Sequence, residues 1–351
     1  MKNNFIYGKN NQELYKLAKQ KKFALPAINV SGTNTINSVL ETASELNSPV
    51  IIQFSNGGSQ FIAGKGMPNK GINSSISGSI AGAYHIHKTI NDYNSKVVIH
   101  TDHCSRKLLP WIDGLLEYGK GFFDKNGYPL FSSHMIDLSE EPIEENIATC
   151  KEYLKRMTDL DMTLEIELGV TGGEEDGVDN SDIDSSKLYT QPEEVAYAYS
   201  ELKSISDKFM IAAAFGNVHG VYKPGNVKLT PKILKNSQEH VSKKFNIPHN
   251  SLDFVFHGGS GSSVSKIREA IDYGAIKMNI DTDMQYAFME GSRDYFTENT
   301  DYLKTQIGNP DGPENPNKKF YDPRVWLRKS EENFVKRLIK SFEDLNNVNT
   351  L

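Results

Sequence analysis

Three histidines each follow an apolar segment of the sequence and stand among small residues. They are His103 in HTDHC, His219 in GNVHGVY and His257 in FHGGSGS. Three imidazoles with an open fourth position are the ligand set of a catalytic zinc ion, which polarises a carbonyl or activates water. These ligands would come from distant parts of the chain, so spacing alone does not establish the set. The residue types and their surroundings nevertheless predict a zinc site.

The other six histidines lack this pattern, and we interpret them as structural. They are His85, His87, His100, His134, His240 and His249.

Polar side chains capable of chemistry also end nearly every apolar segment. Besides the histidines above, they are Asn29, Ser55, Asp102, Asp137, Glu167, Asn217, Asn279 and Asp281. Active sites of barrel enzymes lie at the carboxyl ends of the strands, and buried polar groups need partners. The pattern therefore predicts one polar mouth. For Asn29, Ser55 and Asn279 taken singly, capping of the following helix remains an alternative.

Two turns, one rich in glycine and serine and the other containing aspartates, favour an anion-binding site. His257 leads into GGSGSS and a predicted helix, where backbone N–H groups and the helix dipole can bind phosphate. The stretch NIDTD (279–283) closes the last apolar segment. Phosphate sites in barrels are often built from the loops after strands seven and eight, which is where these turns fall.

An acidic segment offers a mobile base. Glu174 and Glu175 lie between glycines in GGEEDG. A carboxylate on a moving loop can close over a bound substrate and exclude water. A solvated acidic loop and a calcium loop are the alternatives, although the spacing of acids does not fit an EF-hand.

The elements that must position these residues alternate between short apolar segments and longer amphipathic ones. Near-continuous apolar segments are typical of strands buried on both faces of a parallel sheet. We predict eight strands, at 23–30, 49–55, 96–103, 132–139, 163–169, 209–220, 253–262 and 275–283. The segments most typical of helices are 33–47, 144–157, 191–205, 262–274 and 324–346. This α/β alternation predicts a (β/α)₈ TIM barrel with extra loops and a C-terminal helical extension, with a doubly wound open sheet as the alternative.

Three segments interrupt the alternation. Residues 56–75 and 171–190 are predicted to be long loops, and residues 307–322 an irregular stretch before the C-terminal helix. A barrel with insertions accounts for residues 1–351 as one domain, although this length also permits two domains.

Composition limits the classes of partner. The formal net charge is -6 and no basic block occurs, which argues against a nucleic-acid binder. Two cysteines do not suggest a disulfide framework. No apolar run has the length of a membrane span or the pattern of a signal peptide, so we expect a cytoplasmic protein without membrane association.

Longer stretches resemble class II fructose-bisphosphate aldolases, and more narrowly the dimeric class IIA branch of many bacteria and of fungi. The resemblance extends from about residue 12 to the end of the chain. It rests on QFSNGG, HTDHC, LLPWIDGLL, FSSHMIDLSEE, TLEIELGVTGGEEDGVDN, YTQPE, AAAFGNVHGVYKPGNV, FVFHGGSGS, KMNIDTD and NKKFYDPRVWLR.

The resemblance implies a division of roles at the predicted site. It makes His103, His219 and His257 the catalytic zinc ligands, and Asp137 and Glu167 a second metal site or an alternative zinc position. It implies that Asp102 is the acid/base at the aldehyde-side oxygen and that Glu175 moves a proton at the ketose carbon. Asn279 is expected to donate a hydrogen bond to the enediolate.

The resemblance also implies substrate contacts and partners. The dihydroxyacetone-phosphate site is matched by Gly220, Gly258, Gly259, Ser260, Asn279, Ile280, Asp281 and Thr282. Asn29 and Ser55 match further substrate positions, and Arg324 matches an arginine that reaches the far phosphate in the neighbouring subunit of a homodimer. A monovalent cation, K⁺ or Na⁺, is expected near the phosphate.

The implied reaction is the reversible cleavage of D-fructose 1,6-bisphosphate into dihydroxyacetone phosphate and D-glyceraldehyde 3-phosphate, a step of glycolysis and gluconeogenesis. Two alternatives remain at this point. A tagatose-bisphosphate aldolase differs in the stereochemistry of one hydroxyl, and a non-catalytic zinc- or sugar-phosphate-binding barrel would need neither Asp102 nor Glu175.

Overall fold

Eight parallel strands close into a barrel in the computed structural model, which describes residues 4–68, 71–170, 172–175, 178–179, 188–219 and 229–351. Only the backbone is described for residues 172–175, 178–179 and 219. The barrel strands are β1 Leu25–Asn29, β2 Val50–Phe54, β3 Val97–Thr101, β4 Ser133–Ile136, β5 Thr163–Leu168, β6 Phe209–Ala213, β7 Phe254–Phe256 and β8 Ala275–Ile280. Each strand pairs with its neighbours in chain order, and β8 pairs with β1. The predicted (β/α)₈ barrel is confirmed.

Helices surround the strands. They are α1 Gly8–Lys21, α2 Thr33–Glu45, α3 Asn56–Ala63, α4 Ile72–Tyr93, α5 Leu109–Asn126, α6 Ile143–Asp159, α7 Pro192–Lys203, α8 Lys232–Phe245, α9 Val264–Asp272, α10 Thr282–Glu298, α11 Lys318–Tyr321 and α12 Pro323–Asp344. Pro192 begins α7, where a missing N–H costs no hydrogen bond. The predicted C-terminal helix is α12, which packs against α10 and α2.

The predicted loop at 56–75 is wrong over most of its length. The hydroxyl of Ser55 accepts a hydrogen bond from the N–H of Gly58 (3.1 Å) and thereby caps α3. A Cβ at Gly78 would lie 1.8 Å from the carbonyl oxygen of Ser59. The small residues of this region therefore allow α3 and α4 to pack closely, a use of glycine and serine that resembles loop composition in the sequence.

Three other predictions need correction. The predicted strand 209–220 ends at Ala213, and Val218–His219 forms a separate short strand that pairs with Gly172–Gly173. The irregular stretch at 307–322 contains an antiparallel hairpin of Ile307–Asn309 with Gly312–Pro316. Of the predicted acidic loop at 171–190, Gly172–Glu175 and Val178–Asp179 pair as antiparallel strands, and much of the remainder lies outside the described residues.

The amino-terminal end of the barrel is filled by apolar side chains. Leu14, Tyr15 and Ala18 of α1 pack against inward-facing residues of the strands in one buried cluster, the barrel floor. The strand residues of the floor are Leu25, Ala27, Ile51, Val98, Met210, Ala212, Val255 and Ile276. Helix α1 therefore closes this end of the barrel, and the opposite end remains for the site. Within the described part of the chain, no helix combines the length and the apolarity that crossing a bilayer requires.

Candidate active site

Polar side chains gather at the carboxyl ends of the strands. Asp102 and His103 follow β3, Asp137 follows β4, and His257 follows β7. Glu167 lies near the end of β5, and Asn29 and Asn279 near the ends of β1 and β8. Because all eight strands are parallel, these ends meet at one mouth, as the sequence predicts.

His103 is held in an uncommon backbone conformation. Its φ of +36° lies in the left-handed region, which costs a residue with a side chain about 1–3 kcal/mol. Its Nδ1 lies 2.9 Å from Asp137 Oδ2 and 3.5 Å from Glu167 Oε2. The strained turn therefore directs the imidazole towards two carboxylates.

His257 lies beside His103 and is buried. The ring centroids of the two histidines are 4.7 Å apart. His257 Nε2 lies 2.7 Å from Glu165 Oε1, and its Nδ1 lies 3.4 Å from Glu167 Oε2. One edge of the imidazole thus faces the barrel interior and the other faces the mouth.

Neighbouring charged and polar groups shift the pKa values of His257 and Asp137. Burial lowers the pKa of His257, but Glu167 and Glu165 outweigh it and raise that pKa to about 9. Burial raises the pKa of Asp137, but His103 and Ser139 outweigh it, and the net pKa is lowered. The mouth therefore binds positive charge, either as protons on imidazole or as a cation in their place.

The donor atoms fit a metal ion. The candidate ligand atoms of Asp102, His103 and His257 lie within 4.8 Å of one another, and so do those of His103, Asp137 and Glu167. Imidazole nitrogen and carboxylate oxygen are ligands of zinc and of related divalent ions. The described side chains can thus hold a divalent metal at the mouth, with His103 shared by the two sets.

Asp102 is buried between three side-chain amides. Its Oδ2 accepts hydrogen bonds from Asn29 Nδ2 (3.1 Å) and Gln53 Nε2 (2.9 Å). Its Oδ1 accepts one from Asn279 Nδ2 (3.0 Å). Burial raises the pKa of Asp102, but nearby His103, Lys277 and His257 outweigh it, so the net pKa is lowered. The carboxylate is therefore ionised at neutral pH and can accept a proton.

Close backbone approach joins the turn after β7 to the segment that contains His219. Gly258 has a φ of +58°, and a Cβ there would lie 2.4 Å from the carbonyl oxygen of Val218. Gly259, Ser260 and Ile280 line one small cavity, which places the turns after β7 and β8 next to each other. The predicted phosphate-binding turns are thus adjacent.

Comparison with known proteins decides the family. The sequence profile of the family described as "Fructose-bisphosphate aldolase class-II" matches residues 9–350. The chain is 59% identical over 347 residues to the fructose-bisphosphate aldolase class 2 of Escherichia coli K12, covering 99% of this chain and 97% of that protein. The crystal structure of fructose-bisphosphate aldolase from Campylobacter jejuni superposes with a TM-score of 0.91 at 56% identity, covering 99% of this chain and 97% of that one.

The chain belongs to the class II fructose-bisphosphate aldolase family. The protein is therefore an enzyme, an aldolase, and the resemblance deduced from its sequence motifs is confirmed. A putative fructose-1,6-bisphosphate aldolase from Coccidioides immitis, at 21% identity and a TM-score of 0.69, shares the fold.

Several predicted site residues of the aldolase are not among the polar side chains described above at the mouth, or lie outside the described residues. Arg324 is the second residue of α12, is 87% exposed, and pairs with Asp322 (2.6 Å). Thr282 begins α10 directly after Asp281, its N-cap residue. Gly220 and the side chains of His219 and Glu175 lie outside the described residues.

Sequence reasoning assigns no role to three polar residues of the aldolase barrel, Gln53, Glu165 and Lys277. His100, which we interpret as structural, places its Nε2 3.2 Å from Glu165 Oε2. The sequence contains a signal for two of them, because residues two positions apart on a strand face the same side. Glu165 precedes Glu167 by two positions, and Lys277 precedes Asn279 by two. Charged residues inside apolar strands are buried only when they are paired.

Proposed function

We propose that this family member catalyses the reversible cleavage of D-fructose 1,6-bisphosphate into dihydroxyacetone phosphate and D-glyceraldehyde 3-phosphate with zinc as its metal. The observation that supports this most strongly is a buried, ionised Asp102 beside two histidines that can hold a metal. A proton acceptor next to a Lewis acid is what aldol cleavage without a lysine Schiff base requires.

The proposed zinc ligands are His103, His219 and His257. When bound, zinc would polarise the ketose carbonyl and stabilise the negative charge that develops as the carbon–carbon bond breaks. The 4.7 Å between the rings of His103 and His257 supports this set, as does the contact of Gly258 with Val218, the neighbour of His219. Asp137 and Glu167 are proposed as a second metal site or an alternative zinc position, because both approach His103.

Asp102 is the proposed acid/base. In cleavage its carboxylate takes the proton of the hydroxyl that becomes the aldehyde oxygen, and in condensation it returns that proton. The amides of Asn29, Gln53 and Asn279 hold the carboxylate in place. Asn279 is also proposed to donate a hydrogen bond to the oxygen that gains negative charge, a contact typically worth about 10²–10³ in rate. Glu175 is the proposed mobile base at the ketose carbon.

The remaining substrate contacts are proposed from the motifs and their placement. The adjacent turns after β7 and β8 would bind one phosphate through Gly258, Gly259, Ser260 and Asn279 to Thr282, together with Gly220. A monovalent cation, K⁺ or Na⁺, is proposed near that phosphate. Asn29 and Ser55 would contact the sugar.

An exposed arginine at the start of α12 supports a shared site. Arg324 is 87% exposed, and we propose that it reaches the far phosphate in the neighbouring subunit of a homodimer. We also propose that residues 1–351 form one barrel domain and that the enzyme is cytoplasmic, without nucleic-acid or membrane partners.

A triose-coupled cleavage assay tests the proposed substrate. We expect a higher kcat/KM for fructose 1,6-bisphosphate than for tagatose 1,6-bisphosphate, and no trapping of the enzyme by borohydride in the presence of substrate. A preference for the tagatose sugar would reject the proposed substrate, and a borohydride-trapped adduct would reject the zinc mechanism.

A further inference from the structure

Two oppositely charged residues face each other inside the barrel, between the mouth and the floor. Glu165 lies on β5 and Lys277 on β8, and both side chains are fully buried. Lys277 Nζ lies 2.9 Å from Glu165 Oε2 and 3.2 Å from Oε1. The pair therefore spans the barrel, since β5 and β8 lie on different parts of its wall.

Stability alone does not explain this pair. Removing two charges from water is costly, and well-packed apolar residues in place of a buried ion pair are often neutral or stabilising. The floor directly below shows that apolar residues such as Ile51 and Val98 can fill this barrel.

Lys277 fixes the orientation of the Asn279 amide. Its Nζ also lies 2.7 Å from Asn279 Oδ1. An ammonium group can only donate hydrogen bonds, so the amide must turn its oxygen to Lys277. Its nitrogen then faces Asp102 Oδ1, at 3.0 Å. Without Lys277 the amide could rotate and present its oxygen to the carboxylate, which would repel it.

Glu165 fixes the orientation of the His257 ring. Glu165 Oε1 lies 2.7 Å from His257 Nε2, on the interior side of the imidazole. A carboxylate accepts hydrogen bonds, so Nε2 carries the proton and Nδ1 is left to face the mouth. Metal-ligating histidines are commonly oriented by a carboxylate in this way, and loss of the carboxylate typically costs about 10–100-fold in metal affinity or activity.

We propose that the Glu165–Lys277 pair is a positioning device that acts on both halves of the site at once. Through Lys277 and Asn279 it sets the proton acceptor Asp102, and through Glu165 it sets the metal ligand His257. This inference rests on the proposed function for its catalytic half, whereas its metal half can be measured without any substrate.

The test replaces the pair by neutral residues of similar size, Glu165→Gln with Lys277→Met. The double substitution removes both charges of the pair together, so we expect the variant to fold, and its thermal unfolding checks this. A matched control exists at the opposite end of the barrel, where Lys19 Nζ lies 2.7 Å from Asp253 Oδ1 and both side chains are largely buried. Lys19→Met with Asp253→Asn removes that pair without touching the mouth.

Three quantities are measured on wild type, variant and control: kcat and KM at saturating metal, the zinc dissociation constant by chelator competition, and the midpoint of thermal unfolding. We expect Glu165→Gln/Lys277→Met to lower kcat about 10–100-fold, to change KM less than about threefold, and to weaken zinc binding about 10–100-fold. The control should leave kcat and zinc affinity unchanged. In an Asn279→Ala background, the same double substitution should lower kcat by less than about threefold, because the amide that Lys277 orients is absent.

A variant with wild-type kcat and zinc affinity, and a thermal shift like that of the control, would overturn the proposal and leave the pair purely structural. Full additivity with Asn279→Ala would overturn its catalytic half. If wild-type protein does not cleave fructose 1,6-bisphosphate, the proposed function fails, while the zinc dissociation constants still decide whether Glu165 positions His257.

Discussion

The two ends of the barrel interior are built from the same strands but from opposite kinds of residue. At the floor, inward positions are apolar, as at Ile51 on β2 and Val98 on β3, and α1 seals them from water. Two residues further along the same strands stand Gln53 and His100, both fully buried. On β2 and β3 the inner face thus changes from apolar to polar along the direction of the strand.

The floor and the mouth therefore have different roles. Apolar side chains of suitable volume stabilise a barrel, and many substitutions of similar volume are tolerated there. The polar end has a cost, because each buried donor and acceptor must find a partner with good geometry. Asp102 receives three amide donors and Glu165 receives a lysine and two histidines, so this end is specified residue by residue. The floor supplies stability, and the mouth uses it to hold polar groups for chemistry.

Removal of the metal should show the largest difference between the mouth and the floor, with loss of activity and no loss of folding. We expect exhaustive chelation to abolish cleavage, and added zinc to restore it, because the proposed mechanism depends on the Lewis acid. The barrel should stay folded, since the floor does not involve the metal. Activity and far-ultraviolet circular dichroism are measured on the same samples. Activity that survives chelation would contradict the zinc mechanism, and unfolding on chelation would show that the mouth also maintains the fold.

Truncation of a floor residue should have the converse effect. Ile51→Ala removes a fully buried side chain and should lower the free energy of unfolding by about 2–5 kcal/mol, as measured by denaturant titration. The kcat of the folded fraction should remain within about twofold of wild type, because Ile51 belongs to the apolar floor cluster. A tenfold fall in that kcat would show that the two ends are coupled.

A smaller effect is expected where the turn after β7 meets the segment before His219. Gly258→Ala introduces a Cβ at φ +58° and 2.4 Å from the carbonyl oxygen of Val218, so we expect a cost of about 1–3 kcal/mol together with a raised KM. Gly127→Ala is the matched control, because Gly127 has a φ of +74° and open space around it. Equal unfolding free energies and an unchanged KM in both variants would contradict the assigned close approach.

Much of the fold could be predicted from the sequence because buried parallel strands have a distinctive pattern. All eight strands were found, and Asp102, His103 and His257 were placed at their ends. The predicted strands extend too far beyond Ala213, where the apolar residues Ala214 and Phe215 follow, and beyond Phe256, where the turn HGGSGS was included. The helix Asn56–Ala63 and the first turn of the helix Ile72–Tyr93 fall in the segment predicted as a loop, since glycine and serine there serve close packing.

The interior network could not be predicted in the same way. Lys277 and Glu165 are 112 positions apart, and their contact depends on barrel closure and strand register. The left-handed conformation of His103 is uncommon for a residue with a side chain, and nothing in the local sequence predicts it at this position. Local patterns thus predicted which residues reach the mouth, whereas their mutual geometry required the closed barrel.

The division of labour at the mouth is tested most directly by Asp102→Ala, assayed for zinc content and for cleavage. If the histidines hold the metal and Asp102 moves the proton, the variant should keep close to the wild-type zinc content while kcat falls by about 10²–10⁴. Loss of zinc together with activity would contradict this account and make Asp102 a ligand or a support of the metal. Wild-type activity in the variant would remove Asp102 from the mechanism altogether.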